Sequence, residues 1–380
     1  MAMNIPLIQP DLPPFELVQD SLKKVLESGK VTNFGEYVGR FEKEASEYLS
    51  AATATVSSCT AGLILALQAV GVGRGDKVIV PSFTFPATAQ AVLYSGAIPI
   101  FAEIGEDLTI APDDVAMLLD QHPDVRAVLA VHTYGFPCNT SALQKVVDEA
   151  SQVRSDRIAL VFDAAQAFGS AIGGERVGGF GDAEVFSFSA TKLLVGIEGG
   201  MVSSRRPEII HRIKRMRNYG IEAAYDTFWP GLNGKMSELH AIIALENLLR
   251  LDSLLDARSQ RARYYRARLD LLANVHTLPW PSHIVQTFKD FSILIGDATI
   301  ETRDTLRSLL GARGIETRAY FYPPVHQQHY FLQFADRPLP RTERIASSAI
   351  TLPFFTTMTE SQMDYVVESL SLSQAALNVS

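Results

Sequence analysis

Short apolar runs alternate with segments of helical spacing through the first two-thirds of the chain, and no other feature constrains the fold as strongly. Residues 77–81, 98–101, 127–131, 158–162, 183–188 and 200–203 read as strands. Residues 17–28, 39–49, 61–70, 87–94 and 141–150 read as helices between or before them. Strands this apolar have no solvent face. The expectation is an α/β fold in which a large domain holds a mostly parallel sheet between two layers of helices. Residues 237–273 form one long helical stretch or two abutting helices, rich in Arg and Leu. Beyond Val275 the pattern changes: 291–295 is strand-like, 300–310 helical, 314–322 extended, and 345–350 and 361–370 helical. This predicts a smaller α+β C-terminal domain. A chain of 380 residues is long enough for two cores. The expected division is 1–245, including the N-terminal segment, and 246–380, including the bridging helix.

Charge and composition exclude several classes of partner. The net charge is −8 and the 34 basic residues are scattered, so neither a nucleic-acid stripe nor a polybasic membrane patch is expected. The proline-rich residues 1–14 lack an apolar signal core, and no run is long and apolar enough to span a bilayer. Two cysteines, Cys59 and Cys138, make no disulfide framework, which points to a reducing, cytoplasmic setting. Gly71-Val72-Gly73-Arg74-Gly75 precedes a strand instead of following one, so it is no dinucleotide fingerprint. His326 and His329 lack an acid at metal spacing, and no metal is expected.

Three segments carry chemistry. Ser57-Ser58-Cys59-Thr60-Ala61-Gly62 stands ahead of an apolar helix, where free N–H groups and the Thr60 hydroxyl can meet an anion, or simply cap the helix. Asp163 ends the apolar run Leu160-Val161-Phe162 and Gln166 follows three residues later. A carboxylate so placed needs a cationic partner or a helix to cap. Lys192 follows the strand that ends near Ser187, across the small residues Ser189, Ala190 and Thr191. In α/β sheets such groups gather at the carboxyl ends of strands. A strand-end acid with a partly desolvated lysine is the pairing that pyridoxal phosphate requires. The lysine forms the Schiff base, the acid keeps the pyridine nitrogen protonated, Gln166 reaches the ring hydroxyl oxygen and Ser187 the phosphate.

Taken together, these segments resemble the DegT/DnrJ/EryC1/StrS sugar aminotransferases, a group within fold-type I pyridoxal-phosphate enzymes. The resemblance runs through Thr32-Asn33-Phe34-Gly35, Ser58-Cys59-Thr60-Ala61-Gly62-Leu63, the stretch from Gly75 to Phe85, Asp163-Ala164-Ala165-Gln166, Ser187 to Lys192, and Gly231 to Glu238. It implies Lys192 and Asp163 as catalytic residues. It implies Thr60, Ala61, Phe85, Gln166 and Ser187 as further cofactor contacts, with Phe85 stacked on the ring. Asn233 would reach the cofactor phosphate of a neighbouring subunit, giving a homodimer with active sites at the interface. The implied substrates are L-glutamate and a nucleotide-linked keto sugar. The Lys235-Met236-Ser237-Glu238 run and the context of Lys192 look most like the branch acting at C4 of 4-keto-6-deoxyhexoses. The alternatives are action at C3 or on a cyclitol and, more distantly, a regulator that binds the cofactor without turnover. The chain departs from many relatives at Gly234-Lys235, where they carry an aromatic and an arginine, and at Ser189, where many carry histidine. Ser189, Tyr320 and His326 are the candidate substrate contacts.

Overall fold

The structure, a computed structural model, describes residues 3–377; Met1 and Ala2, at the head of the proline-rich stretch, lie outside the described residues. Seven strands form the central sheet. β1 (Ala52–Val56), β2 (Lys77–Pro81), β3 (Ile98–Ala102), β4 (Val125–Val131) and β5 (Ala159–Asp163) come first in sequence. The strands Ala183–Ser187 and Gly200–Ser204 complete it. In space the order is β1, Gly200–Ser204, Ala183–Ser187, β5, β4, β2, β3. Gly200–Ser204 runs antiparallel to both of its neighbours, and the other pairings are parallel. All strands except Gly200–Ser204 therefore end at one edge of the sheet, and Gly200–Ser204 begins there. The expected α/β architecture is the one observed.

Helices cover both faces because the strands bury side chains on both. Val78, Val80, Leu129, Val161 and Val185 pack on one side with α3 (Cys59–Ala69) and α4 (Pro86–Tyr94). Ile79, Val128, Leu160 and Phe162 pack on the other. The alternation follows from the two-residue repeat of a strand. α1 (Phe15–Ser28) and α2 (Glu36–Leu49) pack with the helix Glu238–Leu249 against a third cluster that includes Phe186 and Phe188.

The long helical stretch breaks at Arg250 into Glu238–Leu249 and Leu251–Leu269. The second helix serves two cores: Leu251 and Leu255 face the cluster of α1 and α2, while Ala262, Tyr265 and Leu269 face the C-terminal one. The C-terminal part is an antiparallel three-stranded sheet, Val275–Thr277, Phe291–Ile295 and Ala349–Leu352, backed by Ile300–Ala312 and Glu360–Leu377. The N-terminal segment, expected to pack with the first domain, packs on this part instead. Ile5 is fully buried in the C-terminal core, and its N–H donates to the Gly314 carbonyl.

Two further expectations change. Residues 345–350 do not form one helix: Pro340–Ser348 is helical and Ala349–Leu352 is a strand. The apolar run there pairs along Phe291–Ile295, so tertiary pairing overrides local spacing. Residues 314–322 are extended only through isolated bridges, Ile5 to Ile315 and Arg318 to Thr351. Helices Pro112–Gln121 and Pro207–Met216 and strand β1 were not expected. Among the described residues, no helix is long and apolar enough to cross a membrane.

Candidate active site

A cavity of about 370 Å³ opens at the edge where the parallel strands end. It gathers Thr60, Phe85, Asp163, Gln166, Ser187, Ser189, Lys192 and Tyr320 from segments spread over 260 residues of sequence, 320 minus 60.

Asp163 is the last residue of β5 and is 5% exposed. Its Oδ2 accepts from Thr88 Oγ1 at 2.7 Å, and Oδ1 accepts from the Ala165 N–H at 3.0 Å. Thr84 Oγ1 lies 2.9 Å from Thr88 Oγ1 and extends the chain of hydroxyls. Burial pushes the Asp163 carboxyl above its ordinary pKa; the Thr88 and Ala165 hydrogen bonds and the charge of Lys192 pull the other way. A cation against this carboxylate would restore its charge.

Lys192 sits in the tight connection between Ala183–Ser187 and Gly200–Ser204. Its N–H donates to the Ser189 carbonyl at 3.0 Å, and Phe188 and Gly196 bond back across the loop. Burial depresses the ammonium pKa, and the charge of Lys289 adds to that effect, while Asp290, Cys59 and Asp163 oppose it. A lysine so placed presents a free amine more readily than a solvated one.

The start of α3 forms a third wall. Ser58 caps the helix by accepting from the Ala61 N–H at 3.1 Å, and the first intrahelical bond is from Gly62 to Ser58. The backbone N–H groups of Cys59 and Thr60 precede that bond and face the mouth of the helix dipole. Gly200 permits this wall. A Cβ there would stand 2.7 Å from the Cys59 nitrogen and 2.8 Å from the Ser58 carbonyl carbon. Phe85, ahead of α4, shows 61% exposure, a large aromatic face left open on the cavity.

Gln166 is held at both ends of its amide. Oε1 accepts from the Tyr134 N–H at 2.7 Å, and Nε2 donates to Asp290 Oδ2 at 2.9 Å. Ser187 ends its strand, with Oγ 3.4 Å from the Ser189 nitrogen.

Three expected site residues lie elsewhere. Ala61, next to Thr60 in the first turn of α3, does not line the cavity, and its N–H is spent on Ser58. Asn233 is exposed outside the cavity, on a loop bridged to Asn218, so within one chain it touches none of the groups above. His326 is a correction: it is 4% exposed, bonded to Ser82 Oγ at 2.6 Å and to Glu343 Oε1 at 3.2 Å, and lines no part of the cavity. Its ring packs near Phe101, so it joins the C-terminal segment to the sheet. The sequence reading also missed residues that the fold brings in. Thr88 is a first-turn threonine of α4, and Lys289 and Asp290 lead into the strand Phe291–Ile295. An adjacent Lys-Asp pair before an apolar strand was the available signal.

The fold and the cavity together define an α/β enzyme with a strand-end acid and a desolvated lysine on one wall. The chain belongs to the DegT/DnrJ/EryC1/StrS aminotransferase family, whose model matches residues 16–371. It is 34% identical to GDP-perosamine synthase of Vibrio cholerae over 370 residues, which cover 94% of this chain and 96% of that enzyme. It is 33% identical to UDP-N-acetyl-3-dehydro-alpha-D-glucosamine 3-aminotransferase of Acidithiobacillus ferrooxidans over 311 residues, covering 81% and 80% of the two chains. The crystal structure of DesI in the presence of its TDP-sugar product superposes with a TM-score of 0.89 at 32% identity, covering 98% of this chain and 93% of that one.

Proposed function

We propose that this protein is a pyridoxal-phosphate-dependent aminotransferase that moves an amino group from L-glutamate to C4 of a nucleotide-linked 4-keto-6-deoxyhexose. The observation that carries the reading is the enclosure of Lys192 and Asp163 in one cavity with the open start of α3. Each group matches one part of the cofactor. The N–H groups of α3, Thr60 and Ser187 suit its phosphate, Asp163 its pyridine nitrogen, Gln166 its hydroxyl oxygen and Phe85 its ring face. The likeness to GDP-perosamine synthase supports action at C4. The likeness to the 3-aminotransferase keeps action at C3 as the second reading. Asn233, exposed and outside its own cavity, is available to a partner, which supports a homodimer with shared active sites. Two unpaired cysteines support a cytoplasmic setting.

The cofactor supplies an electron sink for the pair of electrons left when a proton leaves the donor's α-carbon. The chain does the rest. Asp163 would lie against the ring nitrogen and favour its protonated form. Lys192 would hold the cofactor covalently and, as a free amine, would serve as the base that moves a proton, a role suited to its depressed pKa and flexible stem. Thr88 and Thr84 fix the carboxylate from behind.

The test is optical and chemical. Protein purified with pyridoxal phosphate should absorb near about 410–430 nm, lose that band on addition of L-glutamate, and convert a 4-keto-6-deoxy nucleotide sugar into an amino sugar by mass spectrometry and NMR. Lys192→Ala should hold the cofactor without turning over. A protein that stays colourless with the cofactor, or a Lys192→Ala variant with near-normal turnover, overturns the reading.

A further inference from the structure

Among the described residues that line the cavity, Lys289 carries the second ammonium besides Lys192. Lys289 and Asp290 are each 5% exposed, with Lys289 Nζ 2.6 Å from Asp290 Oδ1. Asp290 Oδ2 accepts from Gln166 Nε2 at 2.9 Å, so both carboxylate oxygens are engaged. Lys289 Nζ also lies 5.8 Å from the centre of the Tyr320 ring. An ammonium has three donors, and Asp290 takes one. The pair leads directly into the strand Phe291–Ile295, which pins it to the C-terminal sheet.

An amino-acid donor carries an α-carboxylate next to the carbon that reacts, and a desolvated carboxylate requires a cation or several donors. His132 is tied to Glu184 at 3.0 Å, and Lys192 is the reacting amine, which leaves Lys289. In pyridoxal phosphate the hydroxyl and aldehyde stand on adjacent ring carbons. The side of the cavity marked by Gln166 is therefore the side where the donor's α-carbon must attach. Lys289 is joined to that side through Asp290.

We propose that Lys289 binds the α-carboxylate of the amino donor, with Asp290 holding its ammonium in place. This rests on the aminotransferase reading above. It also answers a problem that reading raises. The same cavity must accept a donor with a carboxylate and a keto sugar without one. Held by Asp290 at 2.6 Å, the Lys289 amine offers its remaining N–H donors to a carboxylate or to sugar hydroxyls in turn.

The experiment follows loss of the cofactor band at rising concentrations of L-glutamate and of its α-amide, L-isoglutamine. Wild type should half-saturate at about 10-fold lower concentration with glutamate, since a charge-assisted hydrogen bond is lost in the amide. Lys289→Gln should raise the glutamate value by about 10-fold or more and leave isoglutamine within about 3-fold, which removes the preference. Its cofactor absorbance should match wild type. If Lys289→Gln fails to hold the cofactor, Lys289→Arg carries the test: it keeps the cation and should keep the preference, and its loss there overturns the proposal. Equal half-saturation by the two donors in wild type, or a preference that survives Lys289→Gln, also overturns it while leaving the aminotransferase reading intact. A wild-type protein that responds to neither donor overturns both.

Discussion

Glu238 should be one of the most costly residues to lose, although it lies outside the cavity. It is 1% exposed and its carboxylate accepts three backbone N–H groups from the start of α2: Gly35 at 2.8 Å, Tyr37 at 2.7 Å and Val38 at 3.2 Å. The Glu238 N–H in turn donates to the Val31 carbonyl at 3.0 Å. The side chain is thus a helix cap supplied from 203 residues away, and a Cβ on Gly35 would meet its Cδ at 2.8 Å. Bonds from N–H groups to a charged acceptor contribute about 1.5–3 kcal/mol each, and a carboxylate at a helix start adds about 0.3–1 kcal/mol. The three share one side chain, so their sum overstates the loss. Glu238→Ala, which leaves three donors without an acceptor, two of them buried, should cost about 3–5 kcal/mol. Glu238→Gln is the sharper probe. Its one oxygen can serve Tyr37 and Val38, but its NH₂ then meets the Gly35 N–H donor to donor, for a cost of about 1–3 kcal/mol. Urea unfolding at matched protein concentration measures both, and hydrogen exchange should rise first at Tyr37 and Val38. An Ala variant within about 1 kcal/mol of wild type, or a Gln variant equal to it, refutes the capping argument.

Other outcomes follow from the same geometry. Asp163→Asn keeps the shape but cannot ion-pair with a pyridinium, so cofactor affinity should fall by about 10–100-fold in an absorbance titration; unchanged affinity removes Asp163 from that role. Gly200→Ala drives a methyl into the Cys59 nitrogen and the Ser58 carbonyl carbon. It should cost about 1–3 kcal/mol and weaken cofactor binding together, since the displaced backbone is the start of α3. Burial lowers the His326 pKa from 6.5, against the pull of Glu343. The unfolded chain then takes the proton first, so stability is lost as pH falls from about 6.5 toward the folded value. His326→Gln should show a shallower loss as pH falls below about 6.5, and an unaltered slope excludes His326 as the source.

Much of the site was legible because its chemistry interrupts a pattern. Asp163 is a charge at the end of an apolar strand, and Lys192 follows a second such strand by five residues, 192 minus 187. Parallel strands must end at one edge, so the two could be brought together by counting elements. The misread segments had no such interruption. Residues 349–352 have the spacing of a helix and the pairing of a strand, and the partner that decides it lies at Phe291–Leu294. His326 was a candidate substrate contact, but Ser82 and Glu343 draw it into the interior.

Local sequence determined most of the strands and helices, the cap at Ser58 and the order of the reactive groups, because each depends on neighbours within one or two turns. Tertiary structure alone decided that Asp290 holds both Gln166 and Lys289, and that Thr88 stands behind Asp163. It also decided that the segments around Gly35 and Glu238 form one unit. These contacts join residues 75 to 203 positions apart, except for the neighbouring Lys289 and Asp290. Such pairings are set by which buried polar group can find a partner once the sheet has closed over it, and no local periodicity encodes that choice.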